Sequence, residues 1–463
     1  MLGTGMGDNR AAPASTSSEP TLVRSIGPWQ LALYGLGSML GAGIYGLIGK
    51  AAGEVGNAVW LAFVVALVAA LLTALSYASM GSRYPRAAGA AYVTHRAFGF
   101  PLIAFMVGLA LVCSGLTSIA TQSRVFAANI SELFGLQAIP VSWLALGFVL
   151  VLTGLVFRGI RESMWVNVLC TVIEALGLVI VIVAGLSYWG SVDYFETPTT
   201  LGDDGAILLV LQGAVLTFFA FIGFEDTINV AEECRDPQRT IPIGLILAMV
   251  LAAILYIAVA ITAVSVVPWQ DLAEAPGPLT EVMATAAPSM SPLVYTFITL
   301  FAVANTALVN YVTASRLIYG MSRQGLLPAF LGKVHERRRT PHAAILALFI
   351  ILLPLALLGT ITELAAATVL LLLLVFAFVN GALFVLKRRK GEPVGKFEIP
   401  LFVPALGLLV CALLIAVRVS TGDWRAPALA GGLLLGTLAI YAVLRPKASE
   451  IDLELPPDPQ TDG

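Results

Sequence analysis

The chain has 463 residues, of which 58% are hydrophobic and 12% are charged, and its formal net charge is −2 at pH 7. Soluble domains carry about 25% charged residues, so this composition excludes an ordinary soluble protein and indicates several membrane spans. The small net charge also argues against a nucleic-acid partner.

Long apolar segments follow one another along the chain, and each is close to the roughly 20 residues that a helix needs to cross a bilayer. Lipid offers no partners for backbone groups, which favours helices. The sequence therefore predicts an all-α integral membrane protein with about twelve transmembrane helices. The segments lie at roughly 28–50, 57–80, 100–128, 141–157, 164–186, 206–232, 241–267, 290–320, 342–358, 362–386, 401–419 and 426–444.

The loops between these segments differ in charge. Arg83, Arg86 and Arg96 follow the second span, and "KVHERRR" and "KRRKGEPVGK" follow the eighth and tenth, whereas the alternate loops are acidic or neutral. By the positive-inside rule, both termini are predicted to be cytoplasmic in a plasma membrane, or in the inner membrane of a bacterium. The polar ends, 1–27 and 445–463, are predicted to be disordered cytoplasmic tails.

The first span, which contains "YGLGSMLGAGIYGLIGK", is unusually rich in glycine. Glycine costs about 1 kcal/mol relative to alanine inside a helix, so these residues serve either close helix packing or an interruption. We interpret Gly35, Gly46 and Gly49 as packing residues, and Gly41 and Gly43 as part of a break.

The sixth span, within "VLTFFAFIGFEDTINVAEECRDPQRTIP", also has a glycine at mid-depth, Gly223, and Glu225 and Asp226 follow it. If the first ten spans form two halves of five, the interrupted helices occupy corresponding positions. Such a pair indicates a transport site near the membrane midplane. Free N–H groups at Gly41–Gly43 would bind a carboxylate, and free carbonyls before Gly223 would bind an ammonium group.

Four stretches resemble the amino acid–polyamine–organocation (APC) family of secondary transporters. They are "GSMLGAGIYGLIG", "SRYPRAAGAAYVTHRAFG", "FFAFIGFEDTINVAEECRDPQRTIP" and "ASRLIYGMSRQGLLP", in the order expected of that family. The resemblance implies a five-plus-five inverted repeat with halves at about 28–186 and 206–386, discontinuous first and sixth helices, and two additional helices at 401–444. It also implies alternating access by rocking of one bundle.

The resemblance further implies roles for single residues. The amides of Ala42 and Gly43 would hold the substrate carboxylate, and the carbonyls of Met39, Phe219 and Ile222 would hold its amine. Phe219 would be an aromatic gate, although a core packing role is also open. Ala42 replaces a serine of some relatives, so a hydroxyl donor is lost. The predicted substrate-binding set is Met39, Gly41, Ala42, Gly43, Ile44, Phe219, Ala220, Ile222 and Gly223.

Two carboxylates at membrane depth are candidates for ion coupling. Glu174 lies in the fifth span, where several members of the resembled family carry lysine. An ionised carboxylate there is costly and should be paired, hydrated or protonated, so Glu174 could carry a proton, play a structural part or bind sodium. Glu225 could take part in proton linkage or cap the inner half-helix. Glu232 and Glu233 are expected to pair with Arg235, Arg239 or basic loops, and a role in an inner gate is also open.

Small polar residues of the third and eighth spans could line a side-chain pocket or join helices to one another. They are Cys113, Ser114, Thr117, Asn305 and Thr306. No buried acid is clearly dedicated to a cationic side chain, unless Glu174 or Glu225 serves, so neutral or broadly varied amino acids are favoured. The four scattered cysteines and three histidines predict no metal site, and no cofactor is expected.

Proton-coupled symport of an amino acid or amine is the favoured function. An exchanger without net ion coupling is the alternative within transporters, and a channel or a substrate sensor is a further one. A membrane enzyme would require a clustered catalytic set at membrane depth, which the sequence does not contain.

Overall fold

The computed structural model describes residues 24–86, 89–136, 138–198, 203–275, 277–358, 361–420 and 424–446. Within these ranges the chain is almost entirely helical, and one isolated β-bridge joins Ile26 to Cys234. Of the two predicted tails, only 24–27 and 445–446 belong to the described residues.

Seventeen α-helices can be followed in the described ranges. They are α1 (Pro28–Leu40), α2 (Ala42–Val55), α3 (Val59–Arg83), α4 (Gly89–Phe98), α5 (Pro101–Leu133), α6 (Val141–Arg158), α7 (Ile160–Gly185), α8 (Asp203–Phe218), α9 (Asp226–Asn229), α10 (Pro237–Val266), α11 (Trp269–Glu274), α12 (Pro278–Ala286), α13 (Pro292–Arg323), α14 (His342–Leu358), α15 (Ile361–Arg388), α16 (Phe402–Ser420) and α17 (Arg425–Leu444).

Seven segments of the described chain are long and apolar enough to cross a membrane. They are Ile48–Arg83, Pro101–Ser131, Val141–Arg158, Arg161–Tyr188, Pro237–Val266, Leu293–Arg323 and Ala367–Arg388. Four further apolar helices are shorter, at Leu209–Phe218, His342–Leu357, Phe402–Ala416 and Ala430–Leu444. An all-α membrane protein is therefore confirmed, whereas twelve spans in a five-plus-five repeat stay a prediction.

Helix α1 lies at the centre of the molecule. Every residue from Tyr34 to Leu40 is buried, and α1 packs against α7, α10 and α13. Around it, α3 packs on α10 and α8, and α5 packs on α13 and α15. Helices α6, α7 and α14 expose large apolar side chains, such as Val151, Leu169 and Ile350, which suits contact with lipid.

Both predicted interruptions are present. Helix α1 ends at Leu40 and α2 begins at Ala42, because the backbone of Gly41 departs from helical geometry with φ −48° and ψ −157°. Helix α8 ends at Phe218 and is followed by a 3₁₀ turn at Phe219–Phe221, and the chain becomes α-helical again only in α9. The two breaks lie side by side, because both α1 and α2 contact the 3₁₀ turn at Phe219–Phe221.

Candidate functional site

The two helix breaks touch each other at Gly223. This residue has φ +125°, a conformation that glycine adopts far more readily than other residues. It also leaves no room for a side chain, since a Cβ there would stand 2.8 Å from the carbonyl carbon of Ser38. Gly223 is thus required both for the turn and for the close approach of α1.

Tyr256 of α10 joins the two breaks by hydrogen bonding. Its Oη lies 2.6 Å from the carbonyl oxygen of Met39 and 3.0 Å from that of Ala220. A hydroxyl donates only one proton, so Tyr256 can bind only one of these two carbonyl oxygens at a time. The other carbonyl oxygen is then free to accept a hydrogen bond from a different donor. Tyr256 was not among the predicted site residues, because its partners lie in other elements of the chain.

A cavity of about 90 Å³ lies beside the breaks. A water molecule needs roughly 10–15 Å³ by the same measure, so the cavity has room for several waters or a small solute. Eight of the predicted residues line it, from both breaks and from α5 and α13: Met39, Gly41, Gly43, Ser114, Ile222, Gly223, Glu225 and Thr306.

The other predicted site residues do not line this cavity. Ile44 and Ala220 are buried in the core, Cys113 is half-buried, and Thr117 reaches Thr368, which is a lining residue, over 2.7 Å. The side chains of Ala42 and Phe219 lie outside the described part of the structure, so the gating role of Phe219 stays a prediction. Asn305 and Glu174 belong to a second polar cluster.

Several lining residues were missed because only part of each helix face was considered. Ser118 and Gln122 follow Ser114 at intervals of four on α5, and Asn310 and Thr313 follow Thr306 on α13. Residues three or four apart lie on one side of a helix, so the helical spacing could have found them.

Two adjacent carboxylates face the cavity from the second break. Glu225 Oε2 accepts the backbone N–H of Gly223 at 2.9 Å. Ser38 Oγ donates to Asp226 Oδ2 at 2.5 Å, which ties α9 to α1. Both carboxylates are buried and line the cavity, and burial of two neighbouring anions requires a proton or a cation nearby.

The second polar cluster lies between α1, α7 and α13. Asn167 donates to Asn305 at 2.8 Å, Asn305 donates to Thr171 at 3.0 Å, and Thr171 donates to the carbonyl of Leu33 at 3.2 Å. A Cβ on Gly37 would stand 2.1 Å from Thr171 Oγ1. These amides therefore pack directly against the backbone of α1.

Glu174 lies one helical turn beyond Thr171 on α7 and is fully buried. Neither carboxyl oxygen has a partner within ordinary hydrogen-bond geometry among the described atoms, and the Asn305 side chain is close enough for a longer and weaker hydrogen bond. Tyr45 donates to the Glu174 backbone carbonyl at 2.8 Å and not to the carboxyl group. A buried carboxyl group with so few partners is costly to ionise.

The expected partner of Glu233 was wrong. Glu233 accepts two hydrogen bonds from Arg316 of α13, at 3.2 and 3.3 Å, and both side chains are fully buried. Arg239 lies 3.9 Å from Asp236 instead. A third donor of Arg316 reaches Ser315 at 2.8 Å, so the pair sits in a hydrogen-bonded environment.

Comparison with known proteins places this architecture in context. A family model described as amino acid permease matches residues 26–430. The chain is 28% identical to the branched-chain amino acid permease BcaP of Bacillus subtilis, over 87% of this chain and 90% of that protein. It is 29% identical to cationic amino acid transporter 4 of Mus musculus, over 83% of this chain and 63% of that protein. It is 30% identical to an uncharacterized transporter of Mycobacterium bovis, over 92% of both chains.

Proposed function

Because the chain belongs to the amino acid permease family, which confirms the resemblance to APC transporters, we propose that it moves amino acids across the membrane by proton-coupled symport. The observation that carries the proposal is the cavity bordered by both helix breaks and lined in part by polar side chains. Alternating access would expose this cavity first to one side of the membrane and then to the other.

The α-amino and α-carboxyl groups of a substrate fit the backbone at the breaks. The first N–H groups of α2 have no partner within that helix and carry the positive end of its dipole, which attracts a carboxylate. Carbonyl oxygens of Met39 and of the turn before Gly223 provide the opposite polarity. Backbone groups of this kind would bind any α-amino acid, and the side chains around them would select among amino acids.

Helix packing supports the proposed five-plus-five repeat. In such a repeat the second and third spans of one half correspond to the seventh and eighth, which here are α3 with α10 and α5 with α13. These corresponding helices pack against each other, as helices that lie beside a pseudo-two-fold axis in the membrane plane would. Helices α16 and α17 would then be the two additional ones, and both termini would be cytoplasmic.

The acidic residues that face the cavity indicate which class of amino acid side chain the substrate carries. Glu225 and Asp226 both line it, which favours a cationic amino acid over the neutral ones that the sequence analysis favoured. Names of similar proteins include both a branched-chain permease and cationic transporters. Thermal-shift titration of the purified protein with lysine, arginine, leucine and valine separates the two classes, since only bound substrate raises the midpoint.

Transport in proteoliposomes tests the function directly. One pH unit corresponds to about 1.4 kcal/mol for each proton, so an inwardly directed gradient of one unit should drive up to about tenfold accumulation with one coupled proton. Accumulation without internal substrate supports symport. Uptake only in vesicles preloaded with substrate would identify an exchanger, flux above carrier rates would identify a channel, and binding without uptake would identify a sensor.

Glu174→Gln is expected to remove the pH dependence of this uptake. The amide preserves the size of the side chain but cannot exchange a proton, so the proton gradient should no longer drive accumulation. Substrate binding should persist, because Glu174 does not line the cavity. Glu274→Gln removes an exposed carboxylate and serves as the matched control; equal pH profiles for the wild type and Glu174→Gln would exclude Glu174 from coupling.

A further inference from the structure

Five exposed basic side chains gather where α6 meets α7 and where α13 leads to α14. They are Arg158, Arg161, Lys333, Arg337 and Arg338, and we refer to them as the basic patch. The two segments are held together, because the Arg338 guanidinium lies 5.3 Å from the ring centre of Phe157 and Thr340 Oγ1 donates to the Phe157 carbonyl at 3.3 Å.

The basic patch lacks the carboxylate partners found in other loops at the same end of the molecule. Arg83 binds Glu398 at 2.6 Å, and Arg96 binds Glu392 at 2.6 Å. Within the described residues, no carboxylate lies within ion-pairing distance of any member of the basic patch.

The charge of the basic patch is therefore only partly balanced by its own segments. Glu162 and Glu336 are the acidic residues of those segments. With Arg339 counted, residues 158–162 and 333–340 carry six cations and two anions, an excess of four positive charges. The contacts of Arg338 and Thr340 with Phe157 hold the two segments together. Such an excess attracts an anion that brings more than one acceptor oxygen.

The surroundings of the basic patch face lipid rather than the interior. Helices α6, α7 and α14, which begin or end at it, expose Val151, Leu169 and Ile350. Two aromatic side chains flank it, Trp165 with 65% and Phe330 with 57% of its surface exposed. Exposed aromatic residues beside apolar helix faces are typical of the level at which lipid headgroups begin.

We propose that the basic patch binds the phosphate of an anionic phospholipid in the adjoining leaflet. Arginine offers a planar fork of donors that matches phosphate oxygens, and clustered basic residues at the ends of transmembrane helices bind anionic lipid surfaces. The acyl chains would lie along the exposed faces of α6, α7 and α14. This inference does not depend on which solute the protein transports.

Lipid titration of the detergent-purified full chain tests the proposal. Phosphatidylglycerol should raise the thermal midpoint at lower concentrations than phosphatidylcholine does. In Arg337→Gln/Arg338→Gln the apparent affinity for phosphatidylglycerol should fall about 30-fold, since each basic residue near an anionic lipid surface contributes about fivefold. Arg388→Gln/Lys390→Gln removes the same charge from an exposed segment outside the basic patch and should bind as the wild type does.

Three results would overturn the proposal. The first is equal stabilisation by phosphatidylcholine, and the second is wild-type affinity in Arg337→Gln/Arg338→Gln. The third is equal stabilisation by glycerol 3-phosphate, which would identify a site for a soluble anion instead of a lipid. The thermal midpoint without lipid, measured for both double variants, separates loss of lipid binding from loss of folding.

Discussion

Replacing Gly43 with leucine is expected to abolish substrate binding and transport while leaving a folded protein. Gly43 lines the cavity, and a Cβ on it would already stand 3.1 Å from the Cα of Ala220 in the opposite break. A leucine side chain has three further carbon atoms, which the rest of a cavity of about 90 Å³ would have to accommodate. We expect affinity to fall at least 100-fold, or about 3 kcal/mol.

The cost to folding should be smaller than the loss of affinity. Overpacking a well-packed site usually costs about 1–3 kcal/mol, and the cavity can take up part of the added volume. Gly147→Leu is the matched control, because a Cβ on Gly147 of α6 meets nothing within 4 Å. Substrate-dependent thermal stabilisation and counterflow should persist in Gly147→Leu. Wild-type substrate affinity in Gly43→Leu would show that the first helix break is not part of the substrate-binding site.

The helix breaks were predictable because they have a local cause. Glycines at mid-depth of an apolar segment oppose a continuous helix, and this cost can be read from the residues alone. The structure adds what local sequence lacks, namely that Gly223 touches Ser38 and that Tyr256 reaches both breaks. Contacts of this kind depend on how helices are placed in the membrane.

The predicted spans marked apolar segments but missed helices in the connections. Helices α4, α11 and α12 have 10, 6 and 9 residues, too few to cross a bilayer. They form because they pack on the transport core, with α4 on α5 and α11 on α2. Helix α10 begins at Pro237, ahead of the predicted 241, because hydropathy marks the apolar part of a helix and not its polar first turn.

Polar side chains at membrane depth were recognised more easily than their partners. The depth of Glu174 followed from the apolar residues around it, whereas the scarcity of partners for its carboxyl group required the coordinates. The partner of Glu233 is 83 residues away on α13, so neighbouring Arg235 and Arg239 were wrongly preferred. Which side chains pair across two helices depends on how the helices are rotated relative to each other. That rotation cannot be read from the spacing of residues in a single sequence.

Breaking the Glu233–Arg316 pair is expected to have the largest effect on stability. Both side chains are fully buried, and removing one partner of a buried pair costs about 3–5 kcal/mol because the other charge is left uncompensated. Glu233→Leu and Arg316→Met should therefore each lower the free energy of unfolding by that amount, measured by denaturant or thermal unfolding in detergent.

The double variant Glu233→Leu/Arg316→Met distinguishes an electrostatic cause from simple loss of packing. With both charges gone no ion is stranded, and apolar replacement of a buried pair is often neutral or stabilising. We expect the double variant to recover most of the loss, which gives a coupling energy of several kcal/mol in the cycle. Additive losses would mean that packing dominates. In contrast, the Arg239–Asp236 pair leaves 69% and 38% of its side chains exposed, so the same cycle there should give about 1 kcal/mol or less.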